Sequence, residues 1–237
     1  MLRLNTPSLI GPVSVGFVLA SLPLAGQHLS VGMKAGVATL EPISVSGPFD
    51  RQLHPLIIGP VIEVALPHDL GIEVSALHRR ITYRFKGPVI NPTRVPPQVQ
   101  EETKADSWEL PLVLKRHVAV GSRWRPFGEI GLAIRHTSST THAYGYVYAP
   151  GGPFPFYRPV AFPEEEKTLE LVKPWGEGLV VGVGQEIRIG FLRVQPELRY
   201  MRWLNAAFRT RSLPARPPGL QSNRNSLDFF IGVLFSR

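Results

Sequence analysis

GLVVGVGQEIRIGFLRVQPELRYMRW, residues 178–203, decides the fold. Around Gly190 it divides into two runs that alternate with period two. On the first arm Leu179, Val181, Val183, Ile187 and Ile189 share one face, and Gly182, Gly184, Glu186 and Arg188 the other. On the second, Leu192, Val194, Pro196, Leu198 and Tyr200 alternate with Arg193, Gln195, Glu197 and Arg199. Alternation over this length marks strand, not helix. Such a hairpin suits a soluble sheet with its charged face in water. It equally suits a closed barrel whose apolar face meets lipid and whose charges line the lumen.

The same signature recurs along the chain. Residues 28–39 set Leu29, Val31, Met33, Ala35 and Val37 against Ser30, Gly32, Lys34 and Gly36. Leu56–Leu66 places Ile58, Ile62, Val64 and Leu66 on one face, with Glu63 opposite. Residues 70–85 begin with Ile72, Val74 and Ala76 and continue with Ile81, Tyr83 and Phe85 in the other phase, which predicts a β-bulge near residues 76–79. Residues 107–118 oppose Trp108, Leu110, Leu112 and Leu114 to Glu109, Val113 and Lys115. Residues 124–136 oppose Ile130, Leu132 and Ile134 to Glu129, Gly131, Ala133 and Arg135. Residues 226–235 close the series, with Leu227, Phe229, Ile231, Val233 and Phe235 against Asp228, Phe230, Gly232 and Leu234.

The count is eight strands, of about ten residues each or a little more, the length a tilted membrane-crossing strand requires. Their connections run long, short, long, short, long, short, long. An up-and-down barrel with both termini at one end produces that order, whereas a soluble sandwich has no reason to sort its loops so regularly. The apolar faces carry almost no charge. The opposite faces collect Lys34, Glu63, Glu73, Glu109, Lys115, Glu129, Arg135, Glu186, Arg188, Arg193, Glu197, Arg199 and Asp228. In a narrow, side-chain-filled lumen these acids and bases are expected to pair, because a lone charge there is costly. Gly182 and Gly184 are followed by no helix, so they form no phosphate loop and instead leave room for bulky lumen side chains. Tyr83, Phe85, Trp108, Trp124, Trp175, Tyr200, Trp203 and Phe235 sit near strand ends, where interfacial aromatic girdles belong.

On GVGQEIRIGFLRVQPELRYMRW and the terminal SLDFFIGVLF, the chain resembles the small outer-membrane β-barrel proteins of Gram-negative bacteria, OmpA/OmpX-like and PorT-like barrels, over about residues 28–237. The resemblance implies an all-β, eight-stranded antiparallel up-and-down transmembrane β-barrel with long extracellular loops. It also implies outer-membrane lipids as surroundings and the barrel assembly machinery as a partner. That machinery reads a terminal aromatic residue; here Phe235 is followed by Ser236 and Arg237, a departure from the family pattern. No peptidoglycan-binding module is expected.

Residues 1–27 have the layout of a cleaved secretory signal: Arg3, an apolar stretch from Leu9 to Leu24 broken by Gly11, Pro12 and Pro23, then Ala25 and Gly26. The 237-residue chain has no cysteine, excluding cysteine-ligated zinc and disulfide scaffolds. Its net charge of +8 is spread through strands and loops and forms no nucleic-acid motif, so no nucleic-acid partner is expected. No cofactor motif and no metal constellation is legible; His136 and His142 are merely the closest histidine pair in the longest loop.

His136-Thr137-Ser138 resembles the His-x-Ser pair of the lipid A deacylase family, which implies a serine nucleophile with a histidine base. That family places an acid about a dozen residues later. This sequence reads AYGYVYAP there, and its nearest acids are Glu164, Glu165 and Glu166. The expectation is a structural or surface-interaction protein without catalytic residues, its basic, proline-rich loops suited to anionic surface polysaccharide. The alternatives are a lipid-modifying enzyme and a soluble exported barrel binding a small apolar ligand.

Overall fold

The computed structural model describes residues 28–40, 43–45, 49–52, 56–88, 98–118, 124–149, 156–161, 169–210 and 220–236. The expected signal peptide lies outside the described residues. Eight long strands form the barrel: β1 (Leu29–Leu40), β2 (Leu56–Leu66), β3 (Leu70–Ser75 continued by Leu77–Pro88), β4 (Gln98–His117), β5 (Trp124–Ala149), β6 (Trp175–Ile189), β7 (Leu192–Trp203) and β8 (Asn225–Ser236). Each is antiparallel to its sequence neighbours, and β8 pairs back onto β1, so the sheet is closed. Closure leaves no edge strand within the barrel.

The ladder registers fix the stagger. Starting at Leu29, a walk through Val64, Ile72, Leu114, Ile130, Val181, Tyr200 and Leu227 returns to β1 at Leu40, eleven residues above its start. One of the eleven is the extra residue of a bulge at Thr39, whose hydroxyl donates to the Leu227 carbonyl at 2.6 Å. With eight strands that stagger tilts them by about 40° to the barrel axis. Every residue on the walk except Tyr200 is aliphatic, so one apolar stripe winds round the exterior.

Short connections join β2 to β3, β4 to β5 and β6 to β7 at the end where β1 begins and β8 ends. In the first, His68 and Asp69 have φ of 64° and 58°; in the last, Gly190 has φ of 61°. That last turn has only two residues, Gly190 and Phe191, between the paired Ile189 and Leu192. A left-handed first residue followed by an ordinary second one fits a type II′ hairpin, which demands glycine.

β4 and β5 run far beyond the expected strands. Gln98 pairs with Tyr146 at the far end of a continuous ribbon, so residues 98–106, within a stretch expected as loop, are strand, and so are residues 137–149, within an irregular stretch expected to extend the strands in part. Alternation is visible only where one face is apolar; polar, threonine-rich segments pair through the backbone without it. The expected bulge near residues 76–79 is absent. Val61 faces Ser75 and Ile58 faces His78 in one register, and β4 keeps step along the whole of β3. Residues 73, 75, 77, 79 and 81 all point inward. The apparent change of phase arises because Leu77 and Ile81 are apolar residues on the lumen face.

The molecule is inverted relative to a water-soluble protein. Ile130 is 62% exposed and Leu132 61%, whereas Lys34, Glu73, Lys115, Glu186, Arg199 and Asp228 are 0% exposed. So much contiguous exposed hydrocarbon is a surface for lipid rather than for water. Leu132→Arg, on the outer face of β5, is expected to lower stability by about 2–4 kcal/mol in phospholipid vesicles. Urea titration of the vesicle-embedded barrel measures it; a change within about 0.5 kcal/mol would mark an ordinary solvent-facing position.

Candidate functional site: the charged lumen

Strand parity turns one charged residue after another into a narrow lumen lined by side chains. At mid-height, Lys34 on β1 donates to Glu73 on β3 at 2.6 Å and to Glu197 on β7 at 2.8 Å. Lys115 on β4 also meets Glu73, approaches Glu63 at 3.3 Å and donates to the Gln195 side-chain carbonyl at 2.9 Å. Arg199 donates through Nε to Glu129 at 2.7 Å and through Nη2 to Glu73 at 3.0 Å. Three cations from three strands therefore converge on Glu73. The aromatic lining adds to this: Lys115 Nζ lies 4.5 Å from the centre of the Phe127 ring, and the Arg199 guanidinium 5.5 Å from that of Phe230.

At the turn end, Arg193 is the hub. Its Nε donates to Glu186 at 2.9 Å, Nη1 donates to the Ser30 hydroxyl at 2.9 Å, and Nη2 contacts both Glu63 and Glu186. Gln195 donates to Glu63 at 3.1 Å. A cavity of about 430 Å³ opens here, its lining including Glu63, Asp69, His117, Arg125, Arg188 and Arg193. Arg125 contacts Asp69, tying the β2–β3 turn to the start of β5.

At the loop end, Arg79 donates to Asp228 at 2.7 Å and to Glu109 at 3.4 Å. The Arg135 guanidinium lies 4.2 Å from the Trp203 ring centre and donates to the Asn205 carbonyl at 3.4 Å. Ala207 and Phe208 are buried over this end. The Ala207 carbonyl accepts from the backbone of Val172 at 2.9 Å and of Lys173 at 3.2 Å, which ties the segment at Ala207 to the residues leading into β6.

Of the thirteen charged residues read from the alternation, twelve are buried inside the barrel: Lys34, Glu63, Glu73, Glu109, Lys115, Glu129, Arg135, Glu186, Arg193, Glu197, Arg199 and Asp228. Arg188 differs. It lies at the rim next to the Gly190 turn, its side chain 45% exposed, reaching back to Glu186 at 2.7 Å. Arg79 and His117 belong to the interior without having been assigned to it, and Gln195, placed on the inner face of its strand by alternation, joins the polar network. Arg79 was hidden by the supposed bulge. His117 and Gln195 carry the signal of parity with Lys115 and Arg193.

The aromatic residues divide. Trp108, Trp124, Trp175 and Phe235 are each at least half exposed on the outer wall. Phe235 stacks with Phe191 at the turn end, 6.3 Å between centroids. Tyr200 faces outward and donates to Asn225 at 2.8 Å. Trp203 is corrected: it is 1% exposed and points into the lumen, because it shares parity with Arg193 and Arg199. The side chains of Tyr83 and Phe85 lie outside the described residues. At the loop end His78, Trp108, His136 and Trp175 form one register row across β3 to β6, with ring centroids 4.9 Å apart for the first pair and 4.6 Å for the last.

That row bears on the serine-hydrolase alternative. The His136 ring is packed on Trp175, and the Ser138 hydroxyl donates to the Asp106 backbone carbonyl at 3.4 Å. The Asp106 carboxylate is engaged by Arg80 at 2.8 Å and His78 at 3.3 Å. Among the described residues no serine–histidine–acid relay is assembled. Glu164, Glu165, Glu166 and the His142 side chain lie outside them.

No protein-family model matches the chain, and no curated protein matches its sequence. Among solved structures it is similar to the outer membrane protein OprG from Pseudomonas aeruginosa, with a TM-score of 0.49 and 9% identity over 89% of this chain and 95% of that one. It is also similar to the outer membrane protein AlkL, at 0.43 and 11% over 100% and 97%. Ail of Yersinia pestis is similar at 0.38 and 11% over 89% and 97%.

Glu73 is the residue on which the mid-lumen pairs depend. Glu73→Gln keeps the shape but leaves Lys34, Lys115 and Arg199 short of one negative charge. A destabilisation of about 3–5 kcal/mol is expected, the cost of breaking a buried ion pair from one side. The shift of the urea unfolding midpoint checks it, with Arg80→Ala, on an exposed pair, as the control that leaves the midpoint unmoved.

Proposed function

We propose that this chain is an outer-membrane barrel of a Gram-negative envelope, exported through a cleaved signal, with a structural or surface-interaction role. The observation that carries this reading is the combination of an apolar outer wall with a lumen closed by ion pairs. The wall suits a bilayer, and two tiers of aromatic residues, Trp124 with Phe235 and Trp108 with Trp175, bracket it as interfacial girdles do. The filled lumen speaks against a wide aqueous pore.

In this orientation the short turns, the start of β1 and the end of β8 face the periplasm, and the long connections face outward. Those connections are rich in proline, and the last, residues 204–224, carries four arginines and no acid, a composition suited to anionic surface polysaccharide or lipid headgroups. Phe235, outward-facing on the closing strand, is the residue the assembly machinery would read despite the two residues after it. A soluble barrel carrying a small apolar ligand would have to expose Ile130, Leu132 and Val183 to water, which disfavours that alternative.

The test is electrophoretic mobility in SDS of the membrane-extracted protein, with and without boiling. A heat-dependent shift confined to the outer-membrane fraction is expected, together with no large steady conductance in a planar bilayer. A soluble periplasmic product without a shift would overturn the membrane reading; porin-sized conductance would overturn the closed lumen.

A further inference from the structure

Glu63 on β2, His117 on β4 and Glu186 on β6 come from three alternate strands and meet at the turn end of the lumen. Each offers one ligand atom, and the three atoms lie within 4.8 Å of one another. All three side chains are buried, and His117 Nε2 makes no hydrogen bond although it stands 3.5 Å from Glu186 Oε2. The ring is held from behind by Phe127, 5.3 Å between centroids. The cavity of about 430 Å³ gives this cluster access from the turn end of the barrel, lined by both Glu63 and His117.

We propose that these three residues form a binding site for a divalent transition-metal ion of the zinc class. One imidazole nitrogen and two carboxylate oxygens form a donor set for such an ion, with a fourth position open to the cavity. The Arg193 guanidinium, which contacts both Glu63 and Glu186, is the ion's internal competitor. Arg193 lines the same cavity, so its side chain has space to swing outward when the ion takes its seat.

Charge balance favours the exchange. Among the described residues the buried lumen holds seven carboxylates and six basic side chains, with His117 counted neutral. Replacing the Arg193 charge by a dication brings the interior to seven against seven. Lys115, the other cation near Glu63, keeps its contacts with Glu73 and Glu197. Arg188, on Glu186, is 45% exposed and can turn to water.

The experiment is titration of the metal-stripped, folded protein in detergent with Co²⁺, followed by its visible absorption, and with Zn²⁺ by calorimetry. One equivalent is expected. His117→Ala and Glu186→Gln are each expected to weaken binding on the order of 100-fold. Arg193→Gln, which removes the competitor, is expected to tighten it about tenfold. The heat-dependent gel shift verifies that each variant is folded. If His117→Ala or Glu186→Gln fails that check, the wild-type against Arg193→Gln comparison decides. Binding that persists unchanged in folded His117→Ala and Glu186→Gln would place the metal elsewhere and overturn the site. So would Arg193→Gln binding no tighter than wild type, or no binding by either protein.

Discussion

A closed sheet of eight strands leaves an interior the width of a few side chains, and everything charged that parity sends inward must find its partner there. This constraint governs the molecule. An isolated ammonium or carboxylate in such a space costs several kcal/mol even after local relaxation. The interior answers with shared contacts rather than simple pairs: Glu73 takes Lys34, Lys115 and Arg199, and Glu186 takes Arg188 and Arg193. Each carboxylate that serves several cations ties several strands together. Lys34, Glu73 and Glu197 alone join β1, β3 and β7 across the barrel.

The glycines on the lumen face follow from the same shortage of space. A Cβ at Gly182 would meet the Glu129 carboxylate, and one at Gly184 would meet Phe127 and Glu197. Beads of small residues on β6 thus make room for large ones on β5 and β7, and the Arg199–Glu129 pair depends on that room. Ion pairs between defined strands also oppose slippage, since a shift of one residue would carry every charge to the lipid side.

Much of this was legible beforehand. The alternation of the hairpin at 178–203 is read correctly except at Arg188, which lies at the rim, and Trp203, and the order of long and short connections is that of an up-and-down barrel. Legibility failed where the pattern loses its contrast. Leu77 and Ile81 are apolar residues on the inner face, so parity alone, not hydrophobicity, keeps Arg79 in the lumen. Residues 98–106 and 137–149 show no apolar–polar alternation, and their pairing follows from the ladder of β4 and β5. Trp203 lies at a strand end, which suggested the interface, but its parity takes it inward beneath Ala207 and Phe208.

The sequence by itself determined the eight strands, the face each presents and the inversion of apolar and charged surfaces. These are properties of period two and of short-range turn chemistry, and they are written residue by residue. Which acid meets which base was decided only by the tertiary structure. Glu63, His117 and Glu186 are separated by 54 and 69 positions along the chain, yet their ligand atoms converge. Their meeting depends on strand stagger and barrel closure, which arise from the sum of all eight registers and from no local pattern.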